Sequence, residues 1–239
     1  MESAQRFYDE CLELTRTTGD KQALANALYN AAFPNVVNMR ESERPRQLLL
    51  EALPLFRELG DQSSVGRTLW GLGNGYYFDR EYPTAKVTLE ESHAVFRTVD
   101  DRFGLGWALH THGLVSLKMG DIEAARKDFL EAIELFKEGG DVSGMVLQLD
   151  NLSQVIRADG DPGTATRLAS AARVHQRSTG TGIGQLLSEQ EGRTGREGLS
   201  PQDAEKVWTE GQALTLDQAL EEAVAAARRA TTSDAKRSG

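Results

Sequence analysis

The chain has 239 residues, of which 39% are hydrophobic, with a formal net charge of −9 and a pI near 5.1. That length suffices for one large domain or an extended array with a real core, while the negative balance opposes nucleic-acid phosphate and no Lys/Arg cluster overrides it. A single cysteine, Cys11, excludes an internal disulfide and suits a reducing, cytoplasmic compartment; runs such as LLLEALPLF are too short to span a bilayer, and the charged start MESAQRFYDE is not a signal peptide.

Taken in chain order, the first element, ESAQRFYDECLELTRTTGD, has the pattern of a hairpin's second helix with no first helix ahead of it, a half repeat over 2–18. Two-helix hairpins are expected at about 21–58, 62–98, 102–138 and 142–177. LLLEALPLFRELGD, TLEESHAVFRTVDD and FLEAIELFKEGGD align with one another, and CLELTRTTGD more weakly. Phe56, Phe96 and Phe136 recur about 40 residues apart, as do Gly60, Asp100, Gly140 and Gly180, a spacing that marks stacked repeats. Small residues keep the same interval: Gly73, Gly113 and Ser153; Ala85, Ala125 and Ala165; Ala52, Ser92, Ala132 and Ala172. In the third hairpin Leu105, Ala108, Leu109, His112, Gly113 and Ser116 make one apolar face, and Ala125, Phe129, Ala132, Ile133 and Phe136 the other. Gly120 stops the first helix of that hairpin and Asp121 caps the second; GDPG repeats the device with Asp161 and Pro162. Gly73 in GLGNG is thus a packing glycine, whereas Gly71 and Gly75 have no place in the pattern. Beyond the repeats, 178–199 reads as a flexible joint with a frayed helix. Residues 200–230 read as two capping helices opened by SPQD and TLDQ, and 231–239 as a disordered tail.

LWGLGNGYYFDREYPTAKVTL and ALHTHGLVSLKMGDIEAARKDFLEA resemble tetratricopeptide repeats, through Leu72-Gly73, Tyr76, Ala85, Gly113, Ala125, Phe129 and Ala132. The resemblance implies an all-α fold: a right-handed α-α superhelix, a solenoid of hairpins with about a 40-residue period over residues 2–177, closed by C-terminal capping helices. The repeat is longer than the usual unit, with the extra residues near RELGD. That variant is similar to the sensor arrays of large bacterial regulators that have a nucleotide-binding core and often a LuxR-type DNA-binding domain. SPQDAEKVWTEGQALTLDQALEEAV is similar to the closing segment of the same group, through Trp208, Gly211, Ala213-Leu214, Leu216 and Ala219. What this implies is a non-catalytic binding module, the sensor or partner-docking region of a bacterial signalling or transcriptional regulator. The half-repeat start is expected to dock an N-terminal domain or a partner on an edge at Phe7 and Leu12.

Catalytic signatures are missing from the chain: there is no GxxxxGK[ST], HExxH, CxxC or GxSxG, and no strand is expected before GLGNG. No catalytic residue, metal or cofactor is expected. His112 and His93 stand where sister units have leucine or isoleucine, so both are expected in the core; Cys11 aligns with Ala52 and Ala132 as a small buried residue. First helices of tetratricopeptide arrays line the inner groove, and their outer positions here form rows: Tyr29, Trp70, His110, Asp150; Asn26, Arg67, Trp107, Leu147; Phe33, Asn74, Leu114, Gln154; Val36, Tyr77, Leu117, Arg157. The candidate groove is therefore Tyr29, Arg67, Trp70, Asn74, Tyr77, Trp107, His110, Lys118, Asp150, Gln154 and Arg157, rich in the residue types of binding hot spots. It would take a peptide, a protein or a small effector, and neither nucleic acid nor a membrane. Arg67 and Asn74 match poorly the carboxylate clamp of chaperone-binding members. Two alternatives stand beside this reading: a structural or self-associating spacer with no groove ligand, and an enzyme acting on a nucleotide.

Overall fold

A computed structural model describes residues 2–37, 43–179 and 198–237, with side chains described over 6–32, 43–178 and 198–229. Among these residues every element is a helix and none is a strand: α1 (Glu2–Arg16), α2 (Lys21–Val37), α3 (Glu43–Leu59), α4 (Gln62–Phe78), α5 (Tyr82–Thr98), α6 (Arg102–Met119), α7 (Ile122–Gly139), α8 (Val142–Ala158), α9 (Pro162–Thr179), α10 (Pro201–Gln212) and α11 (Leu216–Arg237). The fold class is all-α, made of tetratricopeptide-like hairpins packed in succession. The chain forms two compact units, Met1–Met119 and Gly120–Gly239, so the boundary falls within the hairpin expected over 102–138. In the first unit each helix from α1 to α6 packs on the next, and the first helices α2, α4 and α6 also touch side by side. In the second unit α7, α8 and α9 follow one another, α10 packs on α9, and α11 lies on α8 and α9.

Local chemistry sets the helix boundaries. Asp20, Asp61, Asp101, Asp121, Asp141 and Asp161 each accept, through Oδ1, the amide N–H three residues on, at 2.8–3.0 Å. Each satisfies a helix-start donor that has no partner inside the helix. The preceding turns pass through the left-handed region at Gly19, Gly60, Gly120, Gly140 and Gly160, where a glycine is unstrained. Two turns break this rule: Arg80 (φ 62°) and Asp100 (φ 53°) hold the same conformation with a side chain. Both expected caps form, as a reciprocal box at Thr215 and, at Ser200, with the Asp203 carboxylate accepting from the serine hydroxyl at 2.6 Å. Ser200 Oγ accepts from the Asp203 amide at 3.2 Å, and Thr215 and Gln218 exchange hydrogen bonds of 3.0 and 3.3 Å.

The period of small residues has a direct packing cause. Phe96 and Phe136 are almost fully buried, and a glycine in the next helix lies against each ring. A Cβ at Gly66 would lie 2.8 Å from the Phe96 ring and one at Gly144 would lie 2.6 Å from Phe136, while Gly104 sits closer still to Phe96. Gly73 faces Leu89 in the same way, at 2.5 Å. Gly71 also gains a reason: it is buried, and a Cβ there would be 3.0 Å from Leu49. Gly75 meets nothing within 4 Å, and no packing demand explains it.

Two arginines tie second helices to the turns that follow. Arg46 on α3 donates to Asp79 (2.7 Å) and Glu81 (3.0 Å). In the second unit Arg126 is 2% exposed, forks onto both carboxylate oxygens of Asp159 at 2.6 Å, and also reaches Glu123 (2.9 Å) and the Ala227 carbonyl (3.2 Å) on α11. The Asp159 hydrogen bonds above all, with Glu123 adding to them, push its pKa further up against the opposing effect of burial. The repeat between them has Lys86 and Met119 at these places, so its carboxylate half is missing.

Three expectations need correction. Cys11 is exposed rather than buried, because α1 packs on α2 and lacks, among the described residues, the preceding helix that would cover that side. For the same reason the apolar edge is not Phe7 with Leu12: Leu12 is 4% exposed in the core, and it is Leu14 (69%) that accompanies Phe7 (70%) in solvent. Finally, α11 runs to Arg237 through most of the segment read as a disordered tail, since no glycine or proline interrupts it there. The joint expected at 178–199 lies largely outside the described residues.

Candidate functional site

The first helices α2, α4 and α6 position the candidate face of the first unit. Their buried sides are filled by Leu28, Ala31 and Ala32, by Leu69 and Leu72, and by Leu105, Ala108 and Leu109. The residues between these, at helical spacing, are left on the other side. Tyr29, Trp70, Asn74, Tyr77, Trp107 and His110 are half-buried there, and Arg67 and Lys118 are exposed.

Three contacts organise the strip. The Arg67 guanidinium stands over the Tyr29 ring, 5.8 Å from its centroid, linking α4 to α2. Its Nη2 donates to Ser64 Oγ at 2.8 Å, and that hydroxyl donates to Asp61 Oδ2 at 2.7 Å. Burial pushes the Tyr29 phenol pKa up and the nearby Arg67 charge partly opposes it, so Tyr29 is neutral at physiological pH. Next, Trp70 Nε1 donates to Thr111 Oγ1 at 3.3 Å, with Asn74 Oδ1 3.2 Å from the same hydroxyl, which joins α4 to α6. Asn74 Nδ2 also donates to the Trp70 carbonyl at 2.9 Å. Lastly, Trp107 meets Phe103 and His110 edge-on at 6.4 and 5.6 Å, a small aromatic cluster on α6. A stacked cation and edge-on rings are contacts worth roughly 0.5–1.5 kcal/mol each in partly exposed settings.

The structure thus gathers Tyr29, Arg67, Trp70, Asn74, Trp107 and His110 on neighbouring first helices. Trp70 does more than line this face: it packs on the small core of Ala85, Leu89 and Val115, as does Tyr77. Tyr77 is turned towards α5, its ring 6.1 Å from Tyr82. Asp150, Gln154 and Arg157 lie on α8 in the second unit, half-buried, and Arg157 donates to Thr166 on α9 at 3.3 Å. Thr111 belongs with the set and the row pattern missed it, because its helix position is buried at 2% exposure. Away from this strip, His112 is buried and His93 half-buried, their rings 4.8 Å apart and edge-on, with His112 Nε2 3.8 Å from Glu90. Among the described residues no group of three His, Cys, Asp or Glu could hold a metal ion.

Fold and face together define a class, a helical-hairpin scaffold that presents the side chains of its first helices. The match to known families is narrower. The tetratricopeptide repeat family model covers residues 108–138, from the middle of α6 to the last turn of α7. Such repeats are in general non-catalytic scaffolds, and the match supports a protein-interaction scaffold. No curated protein matches the chain. No helix among the described residues is long and apolar enough to cross a membrane.

Proposed function

We propose that this chain is a non-catalytic binding scaffold whose first-helix face receives a peptide or protein, and that it serves as the sensor or partner-docking region of a bacterial signalling or transcriptional regulator in the cytoplasm. The observation that carries the scaffold reading is Arg67 stacked on Tyr29 beside the Trp70–Thr111–Asn74 network. A strip serving only as padding between helices has no need of an exposed guanidinium held against a ring. The regulator reading rests on the resemblance of the long repeats and of the closing segment through Trp208, Gly211 and Leu216.

The exposed pair Phe7 and Leu14 favours a second reading, a self-associating spacer. Photocrosslinking in the producing cell separates the two. A photoreactive residue in place of Asn26 or Lys118, both exposed on first helices, should label another protein, whereas one in place of Val87, 67% exposed on α5, should not. Equal labelling from Val87, or adducts only between copies of the chain, would replace the groove by the spacer. The regulator assignment is tested by the coding frame around this segment, where a nucleotide-binding core is expected and an unrelated catalytic domain would overturn it.

A further inference from the structure

The geometry points to an acidic peptide segment as the occupant of the first-helix face of the first unit, with one of its carboxylates on Arg67. This rests on the scaffold reading above and adds the chemistry of the ligand. Its basis is a segregation of carboxylates. In a chain of net charge −9, the helices α2, α4 and α6 contain Lys21, Arg67, Arg102 and Lys118 and not one Asp or Glu. The second helices α3 and α5 of the same unit carry both signs, Glu43, Glu51, Glu58, Glu90 and Glu91 beside Arg44, Arg46, Arg57, Lys86 and Arg97. Asp20, Asp61 and Asp101 sit at the starts of these helices and are held by the backbone amides they cap, and Glu58 on α3 is spent on Lys21 at 2.6 Å.

Five arginines of the unit differ in what holds them. Arg16 meets Glu51 at 2.6 Å, Arg44 meets Asp9 at 2.6 Å, Arg46 meets Asp79 at 2.7 Å, and Arg57 meets Glu91. Arg67 alone among these five is held by neutral groups, the Ser64 hydroxyl and the Tyr29 ring, and Asp61 lies one hydroxyl further away. Stacking and the Ser64 bond orient its planar fork without neutralising it. A guanidinium in that state is suited to take a carboxylate through two parallel hydrogen bonds. Trp107, Phe103 and His110 on α6 supply apolar and ring surface for a side chain of the same segment. The carboxylate is a side-chain one within the segment, since one guanidinium on a ring does not make the several-residue clamp that grips a free chain end.

The test is a selection of displayed random 12-residue peptides on the whole chain, followed by affinity measurements on the recovered peptides made with amidated ends. Recovered sequences should be enriched in Asp and Glu beside an aromatic or aliphatic residue. Their affinity should fall about tenfold in Arg67→Gln and steadily with added salt, and stay within about twofold in Arg57→Gln. Thermal unfolding by circular dichroism establishes that both variants fold. Neutral or basic recovered peptides that ignore Arg67→Gln would overturn the acidic ligand and leave the scaffold standing. No enrichment of any peptide would overturn both. Displacement of the peptides by a single-stranded oligothymidylate that itself depends on Arg67 would replace the peptide by nucleic acid.

Discussion

Arg67 and Arg126, one in each unit, use the same side chain in opposite ways. Arg67 in the first unit is exposed and satisfied by a hydroxyl and a ring, whereas Arg126 in the second is 2% exposed and locked to Asp159, Glu123 and the Ala227 carbonyl. The first keeps a charge at the surface while the second spends its charge inside the fold. The closing helices show the same contrast. In the second unit Ser170 donates to the Trp208 carbonyl at 2.7 Å, Arg173 stands over the Trp208 ring, and Arg167 pairs with Glu222. One repeat chemistry therefore serves two ends: a face left open to neighbours and a terminus sealed by its own chain.

If that contrast is real, stability should respond more to one arginine than to the other. Arg126→Ala leaves Asp159 without its buried partner, and urea unfolding should show a loss of about 3–5 kcal/mol. Arg67→Ala should cost no more than about 1 kcal/mol, the worth of one exposed cation–ring contact. Equal losses would erase the distinction between the units.

Glycines sharpen it next. A Cβ at Gly211 would run into the backbone carbonyl of Arg167, and one at Gly73 into Leu89, so each change to alanine should cost about 1–3 kcal/mol in thermal unfolding. Smaller still, Asp100→Gly should stabilise by about 1 kcal/mol, because it relieves a side chain held at φ 53°. Gly75→Ala has open space and should stabilise by about 0.5–1 kcal/mol, the ordinary gain of alanine over glycine inside a helix. A loss at Gly75 would mean that its freedom is used, which would move it into the face described for the first unit.

The hairpins were legible because each carries its signal locally. Phe56, Phe96 and Phe136 recur with small residues at the facing positions, and Asp121, Ser200 and Thr215 announce helix starts within three residues. The arginine ties were not legible, since Arg46 and Arg126 reach partners 33 residues away and no local pattern names the recipient. Gly104 and Gly144 fall outside the rows of small residues read from the sequence, and only the phenylalanine rings opposite them account for them. Cys11 was misread because alignment with Ala52 transfers a sequence position and not the neighbour that buries it. On the candidate face, the periodicity separated outward from inward positions. It could not show that Trp70 and Tyr77 also pack on Leu89 and Val115, because a large ring at a boundary position can do both.

The lone thiol of Cys11 has a practical consequence. With one thiol per molecule, air oxidation can join chains in pairs and can go no further, so non-reducing electrophoresis should show a band at twice the monomer mass and nothing heavier that reductant removes. The same thiol offers a unique attachment point for a fluorophore on α1, well suited to reporting what comes to rest against Phe7 and Leu14.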